Sequence, residues 1–267
     1  AGAGLRPGDR VGLLFDTALP GYVGMLAVLK LNAAYVPLDP EGPVVRTADL
    51  LASGGVGRLL AAPEQRARAE EIAAAVPAVR LLVLDDRHDD AEPQAAPVPP
   101  PTAGGRDALA YICFTSGSTG EPKGAMCEHA GLLNHLFAKI DDLGIGEGSV
   151  VAQTAPQCFD ISLWQLVSAL MVGGRTLLIG QDEITDVERF VGTLADGRVS
   201  VAQLVPCRRP SGTSNRGVET GLGVCRTASP DADRPARDQG RPDLGDFPRR
   251  GHKSLRVSGL LPAVLYY

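Results

Sequence analysis

Aromatic side chains make up only 4% of the 267-residue sequence, with a single Trp, and the five cysteines never form a CxxC pair. Cys113, Cys127, Cys158, Cys207 and Cys225 stand singly and in odd number, which supports neither a disulfide framework nor a zinc site and fits a reducing, cytoplasmic setting. Basic charge is also scarce. Lys and Arg number 26 against 31 Asp and Glu, a net charge of -5, so no nucleic-acid partner held by phosphate contacts is expected. No segment reaches the roughly 18 apolar residues of a membrane span. The opening AGAGLRPGDRVGLLF lacks the basic and apolar regions of a secretory leader, so no membrane partner is expected either. The chain begins without Met and inside what reads as a strand-bearing unit, and the expectation is a segment of something longer.

What is present is a repeating order of apolar and amphipathic runs, with 44% hydrophobic residues to build a core. RVGLLF (10–15), YVGMLAVLKLN (22–32) and AAYVPLD (33–39) read as strand, helix and strand. TADLLAS (47–53), RLLAA (58–62), EQRARAEEIAAAV (64–76) and RLLVLDD (80–86) continue the alternation. Apolar strands separated by helices predict an α/β fold in which parallel sheets are covered by helices. Residues 87–107, with the run PVPPP, offer little to bury and read as a Pro-rich surface linker. Patterning returns in LAYICFTS (109–116), HAGLLNHLFAKI (129–140), SVVAQTA (149–155), DISLWQLVSALMV (160–172), TLLIG (176–180), a helix near 186–196 and VSVAQLVP (199–206). The predicted organisation is a first α/β unit over 1–86, the linker over 87–107 and a second unit over 108–206. Residues 207–267, rich in Arg, Pro, Gly and Asp, show neither a helical nor a strand period and read as an irregular tail.

The most informative stretch is YICFTSGSTGEPKG (111–124), where a strand-like run enters a loop of glycines and hydroxyls and then meets Lys123. Glycines let a backbone approach a ligand closely, and exposed N–H groups with the hydroxyls of Thr115, Ser116, Ser118 and Thr119 suit phosphate oxygens. Walker A fails because Pro122 and Gly124 flank Lys123, and the nucleophile elbow fails because Ser116 stands where GxSxG needs Gly. A generic Ser/Thr/Gly surface loop is the bland alternative, and agreement over the whole stretch weighs against it.

TSGSTGEPKG resembles the phosphate-binding signature of the adenylate-forming superfamily, which includes nonribosomal peptide synthetase adenylation domains, acyl- and aryl-CoA ligases and luciferases. LKLNAAYVPLDP (29–40) is similar to a structural element of peptide synthetase adenylation domains, departing at Leu31 and Asn32 where the family usually has Ala and Gly. FDISLWQL (159–166) resembles the element that opens the amino-acid pocket. The resemblance implies the N-terminal portion of an adenylate-forming fold that activates an amino acid with ATP and Mg2+. In an intact relative the product passes to a carrier domain bearing phosphopantetheine. It implies that Thr115, Ser116, Gly117, Ser118, Thr119, Gly120 and Lys123 hold the ATP phosphates. Asp160 would take the substrate α-ammonium, a role physically suited to a fixed carboxylate in a partly desolvated pocket. Ile161 and Trp164 resemble side-chain selectivity positions, and Trp164 shares a helix face with Asp160. The alternative is that Asp160 caps the helix and Trp164 is plain core. His129 and His135, six apart, do not make a metal pair, and only His129, close after the loop, is kept as a minor site candidate.

The resemblance covers roughly residues 5–206 and stops after VAQLVP. Counterparts of the adenine, ribose and catalytic-lysine segments are not found afterwards, so no catalytic residue and no metal ligand is assigned. The expectation is a truncated, impaired adenylation unit whose residues 207–267 arise from a shifted reading frame or damaged gene. Two rival readings stand beside it: acyl- or aryl-CoA ligase chemistry, which has no ammonium to bind, and a non-catalytic interaction module.

Overall fold

A computed structural model describes residues 4–16, 19–84, 105–115, 122–204 and 223–226. Among them the first sheet is built from β1 (Arg10–Leu14), β2 (Ala34–Leu38), β3 (Arg58–Ala61), β4 (Arg80–Val83), β5 (Leu109–Thr115) and β6 (Lys123–Glu128) in the order β4-β3-β1-β2-β5-β6. The second contains β7 (Val150–Gln153), β8 (Arg175–Leu178), β9 (Val201–Leu204) and β10 (Gly223–Arg226) in the order β10-β9-β7-β8. Pairing is parallel except at two edges, where β6 runs antiparallel to β5 and β10 antiparallel to β9. Helices α1 (Leu19–Lys30), α2 (Val44–Ser53), α3 (Arg66–Ala75), α4 (His129–Leu143), α5 (Asp160–Met171), α6 (Gln181–Thr185) and α7 (Val187–Asp196) cover the sheets.

Strand periodicity sorts the side chains into layers. In β1, Val11 and Leu13 join a central core with Tyr22 and Met25 of α1, Leu132 and Leu136 of α4, and Leu163 and Trp164 of α5. The neighbouring Leu14 faces the opposite core, with Leu51 of α2 and Ile72 of α3. Likewise Val151 of β7 joins the central core, whereas Val150 and Ala152 face Phe190 and Leu194 of α7. The result is two sheets with shared helices between them and further helices outside.

The sheets divide the chain elsewhere than at the expected unit boundaries. β5, the first strand after the Pro-rich stretch, pairs with β2 in the first sheet, and Tyr111 stacks on Tyr35 with ring centroids 5.6 Å apart. Of the expected linker over 87–107, residues 87–104 lie outside the described residues. β6 was not anticipated because KGAMCE has no apolar alternation, and almost all of it is exposed, as befits an edge strand. β10 lies within residues 207–267, to which the sequence pattern assigns no structure; the rest of that stretch is outside the described residues.

The departure at Asn32 has a local explanation. Its φ of 52° places it in the left-handed region just after α1, where Gly is unstrained and Asn is among the better tolerated substitutes. Gly21 of α1 serves a different purpose. A Cβ there would lie 2.6 Å from Gln157 Nε2 and 2.8 Å from Phe15 Cβ, so only a bare backbone lets α1 seat against the segment that leads into α5. Gly21→Ala should destabilise the protein by about 1–3 kcal/mol through overpacking, measured as a lower urea midpoint with Trp164 emission as the probe.

Candidate functional site

Phe159 occupies the N-cap position of α5 in extended conformation, and Asp160 is the first residue of the helix. Its Oδ1 accepts a hydrogen bond from the Ile161 N–H at 2.9 Å, and the residue is exposed. A carboxylate in the first turn is favoured by the helix dipole, and this one remains open to a ligand. Ile161 is half-buried. Trp164, one turn further on, is 1% exposed, and the Lys139 ammonium lies 5.5 Å from its ring centroid, a contact worth about 1 kcal/mol.

The stem of the expected phosphate loop is the β5–β6 hairpin. Thr115 pairs with Lys123 across it, both residues are exposed, and the Thr115 hydroxyl donates to the Lys123 carbonyl at 3.5 Å. Ser116, Gly117, Ser118, Thr119 and Gly120 lie outside the described residues. Gly124 has a packing role of its own, because a Cβ there would meet Ile112 Cγ2 at 3.0 Å and the Phe114 ring at 3.1 Å.

β5 also brings this stem to Asp160. The Cys113 thiol donates to the Cys158 carbonyl at 3.5 Å, immediately before α5. Burial pushes the Cys113 thiol above its ordinary value and the Asp160 carboxylate pushes the same way, while a hydrogen bond with the Asp160 backbone opposes them. Burial, then Asp39, raises Cys158 to about 11. Burial also raises Tyr111, with a hydrogen bond to Cys127 and the charges of Cys127 and Asp160 adding to it. Among the described residues Cys113, Cys127 and Cys158 are free thiols.

The segment between β7 and α5 is held by a residue that the sequence pattern did not single out. Gln165 is 0% exposed; its Oε1 accepts from Thr154 N at 3.1 Å and Ala155 N at 3.0 Å. Its Nε2 donates to Thr154 Oγ1 at 3.3 Å and to the Gln203 carbonyl at 3.2 Å. One carboxamide therefore ties α5 to the ends of β7 and β9. The available signal was a Gln between apolar neighbours in FDISLWQL, at a position whose burial demands partners.

His129 opens α4, its Nε2 buried without a hydrogen-bond partner, and burial lowers its pKa. His135 lies on the α4 side facing α5. Partial burial lowers its pKa, Lys139 lowers it further and Asp160 opposes. Among the described residues no group of three His, Cys, Asp or Glu side chains is placed to hold a metal ion, so no magnesium ligand is assigned. No helix among them is long and apolar enough to cross a membrane. An open cleft of about 430 Å³ beside Val150, Arg175, Asp196 and Arg198 lies at the N-terminal ends of β7 and β8, the end of a parallel sheet away from which ligands usually bind.

Two expectations follow. Gln165→Leu keeps the volume but leaves the Thr154 and Ala155 N–H groups without their acceptor. It should cost about 2–4 kcal/mol in urea unfolding. His129 and His135 both titrate below the ordinary histidine value of 6.5 when folded. The unfolded chain therefore takes up these protons first on acidification, and stability should be full above about pH 6.5 and fall as the pH drops below it. His135→Gln should flatten the decline seen in urea midpoints between pH 7 and 5.5.

Comparison with known proteins places this geometry. The AMP-binding enzyme family profile matches residues 1–207. Tenellin synthetase of Beauveria bassiana (strain ARSEF 2860) is 32% identical over 209 residues, 76% of this chain and 5% of that protein. Tyrocidine synthase 3 of Brevibacillus parabrevis is 32% identical over 203 residues, 76% of this chain and 3% of that protein. A crystal structure of the nonribosomal peptide synthetase FmoA3, in its alpha-methyl-L-serine-AMP bound form, superposes with a TM-score of 0.64 at 25% identity. That match covers 74% of this chain and 21% of the other. The chain thus spans only a small part of the length of the curated relatives it matches. With a family match over residues 1–207, the chain belongs to the AMP-binding enzyme family.

Proposed function

We propose that this chain supplies the phosphate loop and the ammonium-binding half of the pocket of an amino-acid adenylation unit in nonribosomal peptide synthesis. The observation that carries the reading is the approach of β5, the strand feeding residues 115–120, to the first turn of α5, made by Cys113 against Cys158 and Asp160. A substrate amino acid held by its α-ammonium at Asp160 then has its carboxylate free to turn toward a nucleotide gripped by the hairpin loop.

In the reaction, a carboxylate oxygen of the amino acid attacks the α-phosphorus of ATP, the bond to the β-phosphate oxygen breaks, and pyrophosphate leaves. Residues 115–120 and Lys123 would hold the β- and γ-phosphates, so that charge accumulating on the leaving group meets N–H, hydroxyl and ammonium donors. Magnesium, when bound, neutralises phosphate charge; the chain's own contribution is orientation. Asp160 fixes the amino group, a reading supported by the similar nonribosomal peptide synthetase structure in its alpha-methyl-L-serine-AMP bound form. A plain carboxylic-acid substrate would leave that carboxylate without a partner. A carrier domain bearing phosphopantetheine is the partner that such a unit would load.

Calorimetric titration of the chain with amino acids and with pyrophosphate tests this. Asp160→Ala should weaken amino-acid binding about 10- to 100-fold, the size of a lost charge-assisted hydrogen bond. Lys123→Ala should weaken pyrophosphate about tenfold. Amino-acid binding indifferent to Asp160 would favour acyl- or aryl-acid chemistry, and pyrophosphate binding indifferent to Lys123 would remove the loop from its role. Amino-acid-dependent exchange of pyrophosphate into ATP separates a catalytic unit from a binding module.

A further inference from the structure

Helices α4 and α5 pack together, and each carries two side chains one turn apart that bear on this contact. α5 offers Asp160 and Trp164, and α4 offers His135 and Lys139. Asp160 is exposed, whereas Trp164 is sealed at 1% exposure and has the Lys139 ammonium over its face. His135, one turn before Lys139 on α4, feels the charges of both Lys139 and Asp160. Trp164 thus holds the position expected of a pocket wall, but Lys139 covers it.

We propose that Lys139 is the side-chain selector of the amino-acid pocket, its ammonium meeting the substrate side chain one helical turn beyond Asp160, and that it selects a side chain carrying an oxygen acceptor and rejects a cationic one. The proposal rests on Asp160 receiving the α-ammonium. One turn advances a helix by about 5.4 Å, a span that a short polar side chain bridges when a hydrogen bond is added at either end. The indole fixes the Lys139 stem and lets the charged end face the ligand. A lysine or ornithine side chain would bring a second ammonium against the first. A leucine side chain would have to desolvate the ammonium without replacing its hydrogen bonds.

Because Trp164 is the only tryptophan of the chain, its emission reports this site directly. The test titrates aspartate, serine, leucine and ornithine into the wild-type chain and the variants K139M, K139R and D160N, reading Trp164 emission and calorimetric Kd together. Aspartate and serine should bind more tightly than leucine, with ornithine weakest. K139M should weaken aspartate and serine about tenfold, the size of one charge-assisted hydrogen bond, leave leucine nearly unchanged and improve ornithine, while K139R keeps the wild-type order. D160N should weaken all four alike. Should K139M shift all four amino acids equally or none, while D160N still weakens them, the selector role is overturned and the Asp160 reading stands. If D160N leaves binding intact, or no amino acid binds the wild-type chain, both fall.

Discussion

Gln165 reaches back from the second turn of α5 to accept from the N–H groups of Thr154 and Ala155, where β7 leaves its sheet, and donates to the carbonyl of Gln203 on β9. Each of those backbone groups is withdrawn from water and needs a partner. Gln165 satisfies three of them, and in doing so sets where the chain turns from strand into helix. The direction of α5 follows from that turn. Asp160 and Trp164, a turn apart on the helix, take their places from it. Thr154 adds a second link, its hydroxyl donating to the Gln203 carbonyl at 2.9 Å, so the ends of two neighbouring parallel strands move as one.

The alternation of strands and helices was legible because it depends on local pattern, and the strand ending at Thr115 and the helix starting at Asp160, which carry the candidate site, form where that pattern puts them. RVGLLF and SVVAQTA are too apolar to be anything but buried strands, and DISLWQLVSALM has the length and composition of a buried helix. The pairing of β5 with β2 was not legible. It depends on Tyr111 meeting Tyr35, which no spacing in the sequence announces. β6 and β10 escaped for a related reason: an edge strand takes its order from its neighbour's backbone and needs no apolar signature of its own. Nothing in the sequence singles out Lys139, and only the packing of α4 on α5 brings it over the indole.

Trp164 illustrates how a position that matches a family's pocket motif need not present its own surface. A tryptophan sealed to 1% exposure contributes shape and area to the core, and burying so large a ring is worth about 3 kcal/mol or more on truncation. The chemistry offered to a ligand then belongs to whatever lies on that ring. Core and site are therefore not alternatives at this residue, and the question of whether Trp164 is structural or functional is better put to Lys139.

The C-terminal ends of β5, β7 and β9 come together around the start of α5, as sites in parallel sheets require. The titratable groups on the strand side there are held neutral: burial raises Cys113, Tyr111 and Tyr35, and the Asp160 charge adds to each shift. Cys113, Tyr111 and Tyr35 therefore add no negative charge of their own beside Asp160, and the neighbouring carboxylate is Asp39, whose charge reaches Cys158. The thiols and phenols lining β5 and β2 thereby provide a wall that is polar in composition but uncharged at neutral pH.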